Sequence, residues 1–192
     1  GQGLSGISQT INRQLGHILF DSEHLVIINP ESKNFRLAII PDSLHPSKVR
    51  LQGNLIDVQE VSTIVDLEAC PYYFWEDRFP HRSQEFCLNR YLRHLWYDYK
   101  FKRLKNGDGV EVGVVYRIAD CAQSRLIKIV DMFGDERAFD LVVPYMTDVL
   151  VENDAEFADF YVWTDNAIDW GSYGFIDVTK NPGLIVPDHI AP

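Results

Sequence analysis

Asp131 and Asp135 bracket a glycine in Asp131-Met-Phe-Gly-Asp-Glu-Arg137, and two acids at that spacing could chelate a cation. Paired acids beside a turn are also an ordinary surface feature. Cys87 and His94 lie seven positions apart, about two helical turns, so they would share a face without reaching each other for a direct hydrogen bond. His81 and His94 lack metal-ligand spacing, and no metal is expected. The chain holds no Gly-x-Ser-x-Gly elbow and no phosphate loop ending in Gly-Lys-Ser/Thr. Pro71-Tyr-Tyr-Phe-Trp75 could line a crevice, but large aromatics between prolines more often plug a loop onto the core.

The elements that must position these residues centre on Arg125 to Trp163. Arg125-Leu-Ile-Lys-Ile-Val-Asp131 reads as a buried strand, rich in β-branched residues. Ala138 to Val151 reads as a helix, with Phe139, Val142, Val143, Met146, Val149 and Leu150 on one side. Phe157-Ala-Asp-Phe-Tyr-Val-Trp163 reads as a second strand. Strand, crossover helix and strand form a right-handed βαβ unit, whose ligand crevice lies at the strand C-terminal ends. That places a small-molecule site near Asp131 to Arg137.

Upstream, His17 to Phe20 and Leu25 to Ile28 read as a hairpin, Phe35 to Ile40 as a third strand, and Val49 to Leu51 and Leu55 to Val58 as short strands. Residues 1–56 are therefore a β-rich section, either a separate piece or an edge of the main sheet. Residues 57–192 form the second section. There, Val58, Val61, Ile64, Val65 and Leu67 suggest a short helix, and Ser83 caps another that runs to about His94. Tyr97 to Leu104, the turn Asn106-Gly-Asp-Gly109 and Val110 to Ile118 make a hairpin. Asn166 to Gly171 is expected to hold a short helix, with strands at Tyr173 to Val178 and Leu184 to Val186.

Composition narrows the function. The 192 residues are 46% hydrophobic, enough for a substantial core. A net charge of −10 argues against general nucleic-acid binding, which needs a cationic surface. Arg90, Arg93, Lys100, Lys102, Arg103 and Lys105 cluster in sequence, with a solvated face as their ordinary role. Cys70, Cys87 and Cys121 imply no disulfide framework, which fits a reducing cytoplasm. No apolar run approaches the ~20 residues of a membrane span. The chain begins with Gly-Gln-Gly, which suits a piece of a longer protein, and exposed aromatics around Tyr72 to Trp75 could dock onto its other domains.

The element order from Asp57 onward resembles the GNAT acyltransferase fold, an α+β (α/β) architecture with a mixed, mostly antiparallel sheet flanked by helices. Arg90-Tyr91, Tyr97-Asp-Tyr99, Val114-Val-Tyr-Arg117 and Ile129-Val-Asp-Met-Phe-Gly-Asp135 resemble GNAT-like domains found with bacterial surface-sugar and capsule proteins, and Fem-type aminoacyl transferases. The resemblance covers about the last two-thirds of the chain. It implies transfer of an acyl group from acyl-CoA, or from aminoacyl-tRNA, to an amine such as that of an amino sugar. A ligand- or partner-binding domain without catalysis is the alternative.

The resemblance also implies roles for residues. Met132, Phe133, Gly134, Arg137 and Ala138 would form the turn that holds the CoA pyrophosphate on backbone N–H groups, with Asn166 nearby. The glycine spacing departs from the family pattern of Gln/Arg-x-x-Gly-x-Gly/Ala. Asp135 and Glu136 fall where phosphate should arrive, or simply complement a helix N-terminus. The proton donor for the departing thiolate would be a tyrosine four residues before Gly174, where Trp170 stands, so Tyr173 and Tyr161 are the alternatives. Asp159, Tyr161 and Glu111 are candidate bases.

Overall fold

The structure, a computed structural model, describes residues 22–45, 56–71, 74, 82–121, 124–163 and 168–187. These residues build an α+β fold around a seven-stranded, mostly antiparallel sheet with few helices. The strands are β1 (Glu23–Ile28), β2 (Asp57–Glu60), β3 (Lys100–Lys105), β4 (Glu111–Cys121), β5 (Ser124–Gly134), β6 (Phe157–Val162) and β7 (Ile176–Asp177). Their spatial order is β2-β3-β4-β5-β6-β1-β7. The helices are α1 (Ile64–Glu68), α2 (Gln84–Cys87) and α3 (Val142–Glu152).

The βαβ unit is present, with β5 and β6 parallel and α3 between them in sequence. The apolar stripe of α3, made of Val142, Val143, Met146, Val149 and Leu150, is wholly buried. It packs on Leu25, Ile27, Ile127, Ile129, Ala158 and Phe160, which alternation puts on one face of the sheet. The helix is shorter than its periodicity suggests: Glu136–Leu141 winds as a tighter 3₁₀ segment, begun by Asp135. The predicted hairpin is also present, with Asn106 accepting through its side chain from the N–H groups of Asp108 and Val110, each at 3.0 Å.

Three expectations need correcting. Asp57 to Glu60 is not helical: its apolar residues match a helical spacing, but pairing with β3 makes it an exposed edge strand. The helix begins only at Ile64, where Thr63 and Asp66 form a reciprocal capping box. The helix after Ser83 keeps its cap but loosens into a π turn at Leu88–Leu92. The terminal strand at Leu184 to Val186 is a single bridge, Ile39 to Ile185. His17 to Phe20 and Val49 to Leu51 lie outside the described residues.

The N-terminal section contributes to the sheet interior. β1 pairs with β6 on one side and β7 on the other, so the sheet crosses the division drawn at residue 56. Two buried polar side chains secure the joint. Asn29 donates to the carbonyls of Ala155, at 2.7 Å, and Leu150. Glu156 accepts from the N–H groups of Arg36 and Leu37, and from the Ser124 hydroxyl. Unsatisfied, either group would cost roughly 1–3 kcal/mol.

The face opposite α3 carries two separate apolar clusters. One, under α1 and α2, gathers Val61, Leu67, Phe74, Cys87, Tyr91, Phe101, Val115 and Phe133. The other gathers Val26, Ala38, Ala119, Leu126, Phe157 and Leu184. A row of polar residues crosses the sheet between them.

Candidate functional site

The expected crevice begins where β5 and β6 part. They pair only through Ile127, Lys128 and Ile129 against Ala158, Asp159 and Phe160. Between Ile129 and Asp131 the register with β4 shifts, leaving Val130 as the extra residue of a bulge. A bulge bends its strand and strengthens the local twist. Beyond it, β5 follows β4 as far as Gly134, while β6 follows β1 as far as Val162.

The turn at the end of β5 is filled from within. Asp135 accepts from the Arg137 N–H at 3.0 Å, and its backbone carbonyl accepts from the Ala138 N–H at 2.9 Å. Its own N–H donates to the Glu111 carbonyl. Its two carboxylate oxygens also take the Arg137 guanidinium, at 3.0 and 2.6 Å. Gly134, at φ +130°, sits so close to β4 that a Cβ would lie 2.8 Å from the Glu111 carbonyl oxygen and 2.9 Å from the Phe74 ring. This glycine allows close approach of the chain to itself.

The other residues expected at this turn are core. Met132 packs on the α3 side, Phe133 stands edge-to-face with Phe74 and Phe101 on the opposite side, and Ala138 is fully buried. Phe74 is the plug expected of its aromatic run, while Tyr72, Tyr73 and Trp75 lie outside the described residues, as does Asn166. Asp131 is likewise engaged. Its carboxylate takes Arg82 at 2.5 and 2.6 Å and the Tyr91 hydroxyl at 2.7 Å. Neither acid of the suggested chelating pair is therefore without a protein partner.

Asp159 and Tyr161 come together on the face away from α3, and they bring company. Asp159 pairs with Lys128 on β5 and lies 3.8 Å from the His24 Nε2 on β1. Tyr161 stacks on His24 with ring centroids 4.1 Å apart, and its hydroxyl is 3.2 Å from the His24 Nδ1. Asp159 Oδ1 is buried without a hydrogen-bond partner. Arg117 stands directly across from Lys128 on β4 and places its guanidinium 4.5 Å from the Tyr97 ring centroid.

Tyr173 is elsewhere. It packs against Phe139 and Trp170 near α3, with its hydroxyl 3.4 Å from Glu136. Burial, and then the Glu136 carboxylate, raise its pKa, which makes it a poorer acid. Trp170 stacks on Phe139 and meets Phe160 and Phe175 edge-on, with its buried indole N–H unpartnered. Glu111 is a buried partner of Arg103 and Lys105. Cys87 is pushed up to about 12 by burial, and His94 Nδ1 accepts from the N–H groups of Trp96 and Tyr97, so they form no nucleophile–base pair.

Sequence reasoning found Asp159 and Tyr161 but missed His24, Lys128 and Arg117. The available signal was a charge inside each apolar strand run: Lys128 within Leu126-Ile-Lys-Ile-Val130 and Arg117 within Val114-Val-Tyr-Arg-Ile118. A buried charge interrupting a strand needs a partner, and strand alternation gives the face on which to seek it.

No family model matches the chain, and no curated protein matches it. Among solved structures it is similar to a functionally unknown conserved protein from Staphylococcus epidermidis ATCC 12228, with a TM-score of 0.51 and 13% identity. The match covers 92% of this chain and 65% of that one, so this chain spans under two-thirds of the neighbour's length. At such identity the likeness concerns the fold. No described helix is long and apolar enough to cross a membrane.

Proposed function

We propose that this chain is an acyltransferase-like domain of GNAT-like architecture that binds a small amine-bearing ligand in the crevice between β5 and β6, without an acyl-CoA pyrophosphate clasp. The order from β2 onward supports the architecture: strand, two short helices, three antiparallel strands, helix, parallel strand. One observation carries the reading of the site. The Asp135 carboxylate occupies the Arg137 N–H and the Arg137 guanidinium, the groups a pyrophosphate would need. An arriving phosphate would meet a negative charge already in place.

A second reading is N-acyl transfer from acyl-CoA, or aminoacyl-tRNA, to an amine or amino sugar. It is favoured by the parting of β5 and β6 beyond Ile129 and Phe160, which leaves strand edges free for an extended donor arm. In that reading Asp159 or Tyr161 would handle the amine proton. Calorimetric titration with acetyl-CoA separates the two. We expect no saturable heat at millimolar ligand. Saturable binding that strengthens in Asp135→Asn would overturn the first reading in favour of the second.

A further inference from the structure

Arg117 differs from the other cations on the face opposite α3. Arg82 is paired with Asp131, Arg103 with Glu111, and Lys128 with Asp159. Arg117 is half-buried, and among the described residues no carboxylate lies within ion-pair distance of it. Its neighbours along β4 on the same face are Val115, in one apolar cluster, and Ala119, in the other. It therefore stands on the floor of the furrow between them, beside Lys128.

A guanidinium carries five in-plane N–H donors and no acceptor. The Tyr97 ring, 4.5 Å away, lies under the cation and satisfies its charge without using those donors. A half-buried fork with no acceptor is incomplete, and the group that completes it best is a planar carboxylate held by two parallel hydrogen bonds. Local charge selects further. Lys128 with Asp159 and Arg82 with Asp131 are each neutral as pairs, so the furrow has about one uncompensated positive charge. A monoanion neutralises it. A dianionic phosphate would leave excess negative charge near Asp159, in a chain whose net charge is already −10.

We infer that Arg117 seats the carboxylate of a small monoanionic ligand in the furrow between the two apolar clusters. This deepens the crevice reading, since Lys128 and Asp159 extend the same row to the strands that part. It adds an acidic group to the ligand's expected amine, the pattern of an amino acid or an amino-sugar acid.

The test uses probes without phosphate, so that it reads Arg117 separately from the turn at Asp135. Benzoate and acetate are titrated into the whole chain, with binding followed by NMR shifts of the arginine side-chain N–H groups. Saturable binding is expected, weakened about tenfold or more in Arg117→Gln and less in Arg117→Lys, which keeps the charge but loses the fork. Unchanged melting of both variants separates lost binding from lost folding. A variant that does melt early is replaced by Tyr97→Leu, which should weaken benzoate binding by removing the ring that positions the fork. The inference is overturned if wild type fails to saturate with either carboxylate, if Arg117→Gln binds as wild type does, or if inorganic phosphate outcompetes both. Acetyl-CoA binding with no benzoate seat would sink this inference and the clasp-free reading together. A benzoate seat alongside acetyl-CoA binding would sink only the latter.

Discussion

The turn after β5 and the furrow between β4 and β6 answer the same question in opposite ways. At the turn, each acid that the sequence offers is already consumed: Asp131 by Arg82 and Tyr91, Asp135 by Arg137 and its N–H. In the furrow, Asp159 Oδ1 has no hydrogen-bond partner and Arg117 has an aromatic ring but no carboxylate. A folded chain satisfies its buried polar groups wherever it can. Groups left incomplete are therefore better markers of a ligand than groups that merely have the right type. Mutations at the turn should cost stability, and mutations in the furrow should cost binding.

The largest stability effect is expected at Asp131→Ala. It strands the Arg82 guanidinium and the Tyr91 hydroxyl beside a core, and removing one member of such a pair costs roughly 3 kcal/mol. Urea denaturation measures it, and a loss below about 1 kcal/mol would place Asp131 with the furrow residues instead. The adjacent core gives a pH signature. Burial raises Cys70 to about 11 and Cys87 to about 12, against 9.0 for an ordinary thiol. The unfolded chain thus loses these protons first. Their stabilising contribution is complete below pH 9 and drains away as pH rises through 11 and 12. Cys87→Ala should flatten that alkaline decline in a pH series of denaturation curves.

Gly134→Ala comes next, at about 2 kcal/mol, because the added Cβ meets backbone at 2.8 Å and φ is +130°. Gly107→Ala is its control: a Cβ there has nothing within 4 Å, and melting should scarcely move. Equal losses in both variants would show that the close approach at Gly134 does not matter.

The fold was legible where local pattern and tertiary pairing agree. The helical stripe of α3 and the apolar runs of β5 and β6 reveal the βαβ unit, and Asn106-Gly-Asp-Gly109 reveals the hairpin. It was illegible where the decisive partner is distant. Asp57 to Glu60 has helical spacing, yet β3, more than forty positions away, supplies the backbone partners that win. β1 reads as half of a local hairpin, but its partners are β6 and β7 near the other end of the chain. The site divides in the same way. Gly134 and Asp135 stand out in sequence as a turn, whereas Arg117, Lys128, Asp159 and His24 come from four strands and meet only through register.

Asp135→Ala should cost about 1 kcal/mol, the usual loss for removing a capping oxygen, and should leave the benzoate titration unchanged. Loss of benzoate binding in this variant would join the two regions into one site and break the contrast.

Arg117→Gln sharpens the contrast most with the smallest stability change. If Arg117 were a structural residue, removing its charge should cost as much as breaking a buried pair. With only the Tyr97 ring to lose, the expected loss is about 0.5 kcal/mol, the scale of a partly exposed cation–π contact. Melting in buffer without carboxylate should therefore match wild type within a degree or two. Saturating benzoate should raise the wild-type midpoint and leave the Arg117→Gln midpoint where it was, because a ligand stabilises a fold only through binding it. The two curves together isolate the guanidinium's vacant edge from its packing. A loss of 2 kcal/mol or more without ligand would make Arg117 part of the scaffold, on the same footing as Arg82 and Arg103.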